Sequence, residues 1–496
     1  MRRFQSYWQI VFPVAVVAFL WMSCERPTAP PDPNSPPDTK LSNVPKDNDT
    51  IFPLATMNWT GGDNDGYVAR YQYRYITYHL SAGANSGWRE FDSTSWKDTT
   101  GTSVTVAFNS SDNLNRQVFS ARAIDNTGAP DPLPAVKIVY TTKASPPVTR
   151  IVLPVKEDTI MVLATVSDWW SGVTLTFTAT DQTVHGAVVD YAWSVDGGAW
   201  YWGTDTSLSI APSSFAAPLS GRHYIRAVSR NSTNLIDPVG DSVSFVLQVP
   251  TLEKQVLIID ETDEFNYPFI TYNIADSTVD NFYSRVFPES DQWDYKAHNG
   301  MPPRTILSRY KLVLWHADDR PVSVPHKISD PKNIAVFTDY LKVGGKFLMS
   351  GWGILKSFAY YNNFPFSFQP GSFVFDYLHI RTVDETARIG DCIGGDSTLT
   401  SFNSFSVDSA KMAFFPYNGK LGEVNIITST AGFTVGLYTY KNLPNSTYVT
   451  YRGRPLALRY YGTAFDAVVL GFPLYFIREE DAKIMGIQIL RNLQVQ

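Results

Sequence analysis

Residues 67–75 have the sequence YVARYQYRY, in which apolar positions alternate with mostly polar ones. A period of two is typical of a β-strand with one buried face. The alternation returns at 104–108 and at 118–124, and clusters of Gly, Asn, Asp and Pro separate these runs at 61–66 and 125–130. Short alternating strands with turn signals between them predict a β-sandwich.

A second copy of this pattern follows in the chain, so the sequence predicts two β-sandwich modules, at 50–146 and 147–250. The pattern resembles the fibronectin type III and immunoglobulin-like modules of bacterial surface proteins. In those modules a stretch like 59–66 opens a hairpin, and one like 122–126 is a late strand. Gly66, Val68, Tyr71 and Tyr73 of the first copy correspond, in that order, to Gly186, Val188, Tyr191 and Trp193 of the second. Trp88 corresponds to Trp200, and 122–124 corresponds to 226–228.

The C-terminal half, 251–496, has a different period. Its apolar runs lack alternation, which is typical of parallel strands buried on both faces. Helical spacing occurs at 334–341 and from Glu479 to Leu493. Strands alternating with helices predict a doubly wound α/β domain, and we expect this domain to fold alone. The runs lie at 255–260, 311–316, 346–350 and 467–472.

Three segments of the C-terminal half, at 256–260, 310–315 and 340–351, are similar in sequence to a known family. In these segments the C-terminal half resembles the class I glutamine amidotransferase-like domain, which has a flavodoxin-like fold. The resemblance covers 251–355 and 455–496 and leaves an aromatic-rich insertion at about 356–454 between them.

The resemblance also implies that the catalytic nucleophile is missing. Active members of the family have a cysteine in a Gly-x-Cys-x-Gly turn after the third strand, with a later His and Glu. The equivalent turn here is 350–353, with Gly351 at the cysteine position, and no His-x-Glu follows it. Cys392 lies forty residues later and is expected to be a buried hydrophobic residue. We therefore predict no catalytic residue.

Polar side chains gather at the predicted carboxyl ends of the strands, where doubly wound sheets bind ligands. Such a set could bind a metal or, with the tryptophan, a sugar. The alternative is that the acids cap the helices and loops that follow them. We predict no metal and no cofactor, and retain the set as a possible ligand cleft. Its members are Asp260, Glu261, His316, Asp318, Asp319, Ser350 and Trp352.

The N-terminus predicts the location of the protein. Arg2 and Arg3 precede an apolar run at 10–22, which is too short to cross a bilayer and indicates a secretory signal peptide at 1–23. The pair Ser23-Cys24 resembles the lipobox of bacterial lipoproteins, which implies lipidation of Cys24. The alternative is an ordinary signal peptide cleaved nearby, with no role for Cys24. Residues 24–49 are rich in proline and predict an extended tether.

Composition excludes several classes of protein. The chain has 41 Lys and Arg against 47 Asp and Glu, and this net charge of −6 argues against a nucleic-acid partner. Two cysteines exclude a disulfide framework. We expect a lipid-anchored, non-enzymatic protein of the bacterial cell envelope, at the outer membrane or cell surface, that contacts the membrane through its anchor and an envelope protein or glycan through its C-terminal domain. The alternatives are a hydrolase acting on carbohydrate or peptide through the acidic cleft, and a structural subunit of an envelope assembly.

Overall fold

The computed structural model of the protein describes most of the chain after residue 32. The predicted signal peptide, Cys24 and the start of the tether lie outside the described residues. The chain forms two compact units: the described part of Met1–Val148 with Ala179–Val189 and Ser229–Pro238, and the remainder. No helix in the described part is long and apolar enough to cross a membrane. The described residues are 33–81, 87–110, 114–183, 185–262, 274–319, 325–360, 362–414, 416–430, 432–446 and 449–496.

The first module is a β-sandwich. One sheet has the order β1-β3-β7, and the other has the order β2-β9-β8-β4-β5, with β6 paired to β4. Trp59 from the first sheet stacks on Phe119 from the second, with ring centroids 6.0 Å apart, in the buried space between the sheets. The strands are β1 (Asp38–Ser42), β2 (Thr50–Ile51), β3 (Leu54–Gly62), β4 (Val68–Ser81), β5 (Gly87–Ser93), β6 (Lys97–Thr99), β7 (Ser103–Ala107), β8 (Asn115–Asp125) and β9 (Ala135–Thr141).

Two features of this module differ from the sequence-based expectation. Part of the predicted tether forms β1, because Thr39 and Leu41 turn inward and the Thr39 hydroxyl accepts a hydrogen bond from the Ala123 N–H. The stretch 59–66 does not open a hairpin, since β3 and β4 belong to different sheets. Both strands direct aromatic side chains into one core, so they face each other across it instead of pairing.

The second module is also built from two sheets. Their orders are β10-β12-β15 and β11-β17-β16-β13-β14. Phe177 of β12 stacks on Tyr191 of β13 at 4.8 Å, which joins the two sheets through aromatic packing. The strands are β10 (Val148–Leu153), β11 (Thr159–Met161), β12 (Val173–Thr180), β13 (Val188–Val195), β14 (Tyr201–Gly203), β15 (Ser207–Ile210), β16 (Gly221–Asn231) and β17 (Asp241–Gln248), with a 3-10 turn at Pro212–Ser214.

The duplication is visible in one turn of each module. The Oδ1 atoms of Asp125 and Asn231 each accept hydrogen bonds from the backbone N–H groups two and four residues further on. These two positions are 106 residues apart. The sequence comparison that paired 122–124 with 226–228 was therefore wrong by two residues, a shift that leaves the inward and outward alternation unchanged.

The other side-chain atom at this position has opposite polarity in the two modules. Oδ2 of Asp125 accepts a hydrogen bond from the Asn34 side-chain amide at 2.7 Å. Nδ2 of Asn231 instead donates to the Ser145 carbonyl oxygen at 2.8 Å. In both modules the turn thus binds the segment that leads into the module.

The C-terminal half contains a sheet of nine strands in the order β19-β18-β20-β21-β29-β28-β27-β24-β25. The first five are parallel to one another. They include all four predicted apolar runs, which are buried on both faces as expected. The strands are β18 (Lys254–Asp260), β19 (Ser290–Asp294), β20 (Tyr310–Ala317), β21 (Lys346–Gly351), β22 (Phe366–Ser367), β23 (Ile380–Glu385), β24 (Cys392–Ser397), β25 (Phe405–Ser406), β26 (Asn425–Ser429), β27 (Thr434–Asn442), β28 (Pro455–Tyr461) and β29 (Asp466–Leu470).

Helices cover both faces of the parallel strands. Val256 and Ile258 pack toward α1 and α6, whereas Leu257 and Ile259 pack toward α3, because successive side chains of a strand point to opposite faces. The helices are α1 (Asp276–Val286), α2 (Arg304–Leu307), α3 (Pro331–Lys342), α4 (Ile354–Phe358), α5 (Phe373–Asp376) and α6 (Glu479–Asn492), with 3-10 turns at Lys327–Ser329, Val449–Tyr451 and Leu474–Phe476.

The aromatic-rich insertion at 356–454 completes this domain. Its strands β24, β25 and β27 extend the nine-stranded sheet with antiparallel neighbours. Its strands β22, β23 and β26 form a further three-stranded sheet. The insertion therefore belongs to the same core as the parallel strands.

Strand β11 of the second module also packs against this domain, within the second compact unit. Met161 is buried in the core that contains α3. Arg304 forms ion pairs with Asp158 at 3.5 Å and with Asp339 at 2.6 Å. The predicted boundary at 250 separates two sequence patterns, and the two parts nevertheless share buried surface.

Candidate functional site

Three of the predicted cleft residues are neighbours in the sheet. In the strand register Asp260 of β18 pairs with His316 of β20, and His316 pairs with Ser350 of β21. The carboxyl ends of the parallel strands thus bring these three residues together.

His316 is the centre of a buried polar network. Its Nδ1 lies 3.0 Å from Asp318 Oδ2, 3.3 Å from Asp260 Oδ1 and 3.1 Å from the Thr262 hydroxyl. The Tyr283 hydroxyl donates to Asp318 Oδ2 at 2.8 Å. Burial lowers the pKa of His316, but the charges of Asp260 and Asp318 outweigh it and the pKa is raised overall. The geometry therefore favours an imidazolium held between two carboxylates.

A cluster of three acids adjoins this network. One carboxylate oxygen each of Asp260, Asp276 and Asp280 lies within 4.8 Å of the other two. Burial, followed by the hydrogen bond and charge of Asp260, raises the pKa of Asp280 to about 7. Burial likewise raises the pKa of Asp260, although His316 opposes the shift. The cluster concentrates negative charge at the start of α1.

Glu261 points away from Asp260, because adjacent residues of a strand face opposite sides. Its carboxylate accepts a hydrogen bond from the Trp315 indole at 3.0 Å and from the backbone N–H groups of Lys327 and Ile328. Burial raises the pKa of Glu261, and the charge of Asp319 adds to the shift. Glu261 thus caps the 3-10 turn at Lys327–Ser329, which lies far along the chain and does not directly follow Glu261.

Ser350 and Trp352 are also committed to the fold. The Ser350 hydroxyl donates to the Phe472 carbonyl oxygen at 3.1 Å and accepts the Leu474 N–H at 3.0 Å. The Trp352 ring is buried against Tyr417 and Phe476. The predicted cleft therefore separates into three groups: Asp260 and Asp318 around His316, the cap at Glu261 with the charge of Asp319 near it, and the packed pair Ser350 and Trp352.

Sequence analysis missed Asp276, Asp280 and Tyr283. These residues occupy positions i, i+4 and i+7 of one helix, which places them on the same face. That spacing was the available signal. It was overlooked because α1 begins sixteen residues after Asp260 in the chain.

The turn after β21 has no room for a nucleophile. A Cβ atom on Gly351 would lie 2.7 Å from the Ala317 carbonyl oxygen, closer than side-chain carbons approach backbone oxygens. The same oxygen accepts the Trp352 N–H at 2.8 Å. Gly353 has φ 62° and directly precedes α4. The turn is thus shaped around glycine at both positions.

Cys392 is buried at the start of β24. Its thiol donates to the Gly394 carbonyl oxygen at 3.3 Å. Burial raises the pKa of the thiol to about 12. Because the thiolate is the nucleophilic form, a thiol with this pKa is inert at neutral pH.

Aromatic side chains are exposed at the edge of the second module. Trp200, Tyr201 and Trp202 are 44%, 55% and 44% exposed, beside or within β14. This strand is the last of its sheet among the described strands. Large flat rings left in solvent at a sheet edge are typical of an interaction surface.

No family model matches the chain, and no curated protein matches its sequence. Solved structures similar to it include fibronectin(III)-like modules of CbhA from Clostridium thermocellum, with 13% identity, 43% of this chain and 95% of that chain covered, and a TM-score of 0.22. They also include the FN1–FN3 domains of chicken CNTN1, with 11% identity, 43% of this chain and 68% of that chain covered, and a TM-score of 0.23. A structure from a bacterial ice-binding adhesin of 1.5 MDa has 12% identity, with 46% of this chain and 73% of that chain covered, and a TM-score of 0.19.

Proposed function

We propose that this protein is a lipid-anchored, non-enzymatic lipoprotein of the bacterial cell envelope or surface. Its two sandwich modules would extend from the membrane and carry a degenerate α/β domain, and the chain would bind a protein or glycan. We further propose that the α/β domain is of the flavodoxin-like, amidotransferase-like type. Numbered along the chain, its parallel strands have the spatial order 2-1-3-4-5, which supports this assignment.

The observation that supports the non-enzymatic proposal is that no side chain around the turn after β21 is available to act as a nucleophile, among the residues that the structure describes. Acyl transfer by this fold needs an activated nucleophile at that turn. Gly351 has no space for a side chain, and the Ser350 hydroxyl donates its one proton to a backbone carbonyl oxygen and accepts a backbone N–H. The Cys392 thiol is buried and protonated. These features support binding rather than turnover.

The partner surface we favour is the aromatic edge formed by Trp200, Tyr201 and Trp202. The residues of the predicted cleft are largely buried, so they offer little area to a macromolecule. The aromatic edge offers rigid rings that lose little conformational entropy on binding. Such rings can stack on sugar faces or fill hydrophobic pockets of a protein.

A binding experiment tests this surface. The purified full chain is mixed with insoluble cell-wall polysaccharide, and separately with envelope proteins solubilised from the same cells, and the bound fraction is measured. Trp200→Ala with Trp202→Ala should reduce binding at least tenfold, whereas Tyr461→Ala, which removes an exposed ring from the α/β domain, should not. Equal binding by the double variant and the wild type would exclude the aromatic edge as the partner surface.

The anchor has its own test, motivated by Ser23-Cys24 and the proline-rich segment after it. Cys24→Ala should abolish incorporation of labelled fatty acid and release the protein from the membrane fraction. Undiminished labelling of this variant would rule out lipidation at Cys24.

The alternative function is hydrolysis of carbohydrate or peptide. The grouping of Asp260, Asp276 and Asp280 beside His316 is the observation that favours it. Turnover of a polysaccharide or peptide substrate that is lost in Asp280→Asn, and retained in Glu289→Gln, would replace the binding proposal with this one.

A further inference from the structure

The acidic cluster at the end of β18 carries an inference independent of the proposed function. Asp260 is the last residue of β18, while Asp276 and Asp280 lie in the first two turns of α1. One oxygen from each carboxylate lies within 4.8 Å of the others. Strand and helix therefore bring three anionic oxygen ligands to one point.

Without a bound cation, it is unfavourable to hold these three carboxylates so close together. Asp276 and Asp280 are four residues apart on one helix, and like charges at this spacing destabilise a helix. Asp260 is only 3% exposed, and while the neighbouring acids are ionised its Oδ2 has no hydrogen-bond donor among the described residues. A buried carboxylate oxygen without a partner carries a full desolvation cost.

The nearest histidine does not remove the excess of negative charge. His316 faces Asp260 with the same Nδ1 atom that faces Asp318. One imidazolium is therefore shared between two carboxylates, and Asp276 and Asp280 are additional to both. A cation in contact with the three acids would add positive charge at the point where their carboxylate oxygens meet.

We propose that Asp260, Asp276 and Asp280 bind a divalent cation of the Ca²⁺ or Mg²⁺ class. Hard cations select carboxylate oxygens, and no thiolate or imidazole nitrogen is part of this set. Ca²⁺ holds oxygens at about 2.3–2.6 Å, so two ligands on opposite sides of the ion are up to about 5 Å apart. The observed spacing fits within that span. The cation would fasten the end of β18 to the start of α1.

The test uses the full chain after chelation and desalting, titrated calorimetrically with CaCl₂ and separately with MgCl₂. The wild type should bind one of these ions saturably at a single site and melt at a higher temperature in its presence. Asp280→Asn should weaken binding at least ~10-fold, because affinity follows the number of charged ligands. Without metal, this variant should melt no lower than the wild type, since the substitution removes like-charge repulsion.

Glu289→Gln is the matched control. Glu289 is an exposed acid shortly after α1, and its substitution makes the same change in net charge. Binding should be unchanged in this variant. Absence of saturable binding of either ion to the wild type would overturn the proposal, as would equal weakening by Glu289→Gln and Asp280→Asn. Neither result depends on the aromatic edge or on any macromolecular partner.

Discussion

The imidazole of His316 lies flat on the phenol ring of Tyr283, with ring centroids 3.7 Å apart and an interplanar angle of 11°. Both residues also contact Oδ2 of Asp318. A strand residue and a helix residue are therefore joined by stacking and by a shared carboxylate. Neither the ring contact nor the common acceptor can be deduced from sequence spacing.

His316→Ala should destabilise the protein strongly, by about 3–5 kcal/mol, because it leaves the buried carboxylates of Asp318 and Asp260 without their counter-charge. Urea denaturation of the variant and the wild type measures this difference. The control is His298→Ala, which removes an exposed histidine stacked on Trp293 and should cost less than about 1 kcal/mol. Similar losses in both variants would show that the network contributes nothing beyond ring stacking.

Gly351→Ala should reduce stability by about 1–3 kcal/mol, since the new Cβ meets the Ala317 carbonyl oxygen and the strand must shift. The comparison is Gly436→Ala in β27, where nothing lies within 4 Å of the added carbon. Thermal denaturation of both variants distinguishes crowding from a general effect of replacing a strand glycine. A Gly351→Ala protein as stable as the Gly436→Ala protein would contradict the steric argument.

The fragment 251–496 should fold with a lower melting temperature than the fragment 149–496. The longer fragment keeps Met161 in the core and the ion pair between Asp158 and Arg304. Within the full chain, Met161→Ala should cost about 2–4 kcal/mol, the usual effect of truncating a buried methionine. Equal melting temperatures for the two fragments would show that the boundary at 250 separates cores as well as sequence patterns.

Acid should remove one stabilising contact between α1 and α6. Hydrogen bonds from Arg285, then from Lys483, lower the pKa of Glu479 from 4.5 to about 2. A lowered pKa means that this stabilisation is present above pH 4.5 and disappears as the pH falls through about 2. The pair is partly exposed, so its contribution is below about 1 kcal/mol.

The measurement is the difference in unfolding free energy between the wild type and Glu479→Gln as a function of pH. This difference should be largest at neutral pH and vanish in strong acid. Glu480→Gln, at an exposed neighbouring carboxylate, is the control and should show a smaller difference throughout. A difference that stays constant with pH would indicate that Glu479 acts through packing.

The parallel strands were predictable because the interior of a strand buried on both faces must be apolar, as residues 256–259 and 312–315 are. Strands β24 and β27 were not predicted. Their alternation is interrupted by register shifts near Gly394 and Gly436, which obscure a period of two. Local periodicity reports burial, but it does not identify which distant strand completes the sheet.

The site was predictable to the same limited extent. Asp260 and His316 end neighbouring strands, so topology alone places them together. Glu261 was assigned to the same cleft, although a period of two already directs it to the opposite face. Asp276 and Asp280 meet Asp260 only through the path that the chain takes into α1, and this path is a tertiary property.

The reversed polarity at Asp125 and Asn231 restricts how these modules can be recombined. Each module recognises its own leading segment, one by accepting a hydrogen bond from Asn34 and the other by donating one to Ser145. A chimera that joins the leader of the second module to the body of the first would set the Ser145 carbonyl oxygen against the Asp125 carboxylate, and both of these groups only accept hydrogen bonds. Each leader and its turn therefore form a matched pair, and an exchange of module bodies within this chain would have to move both together.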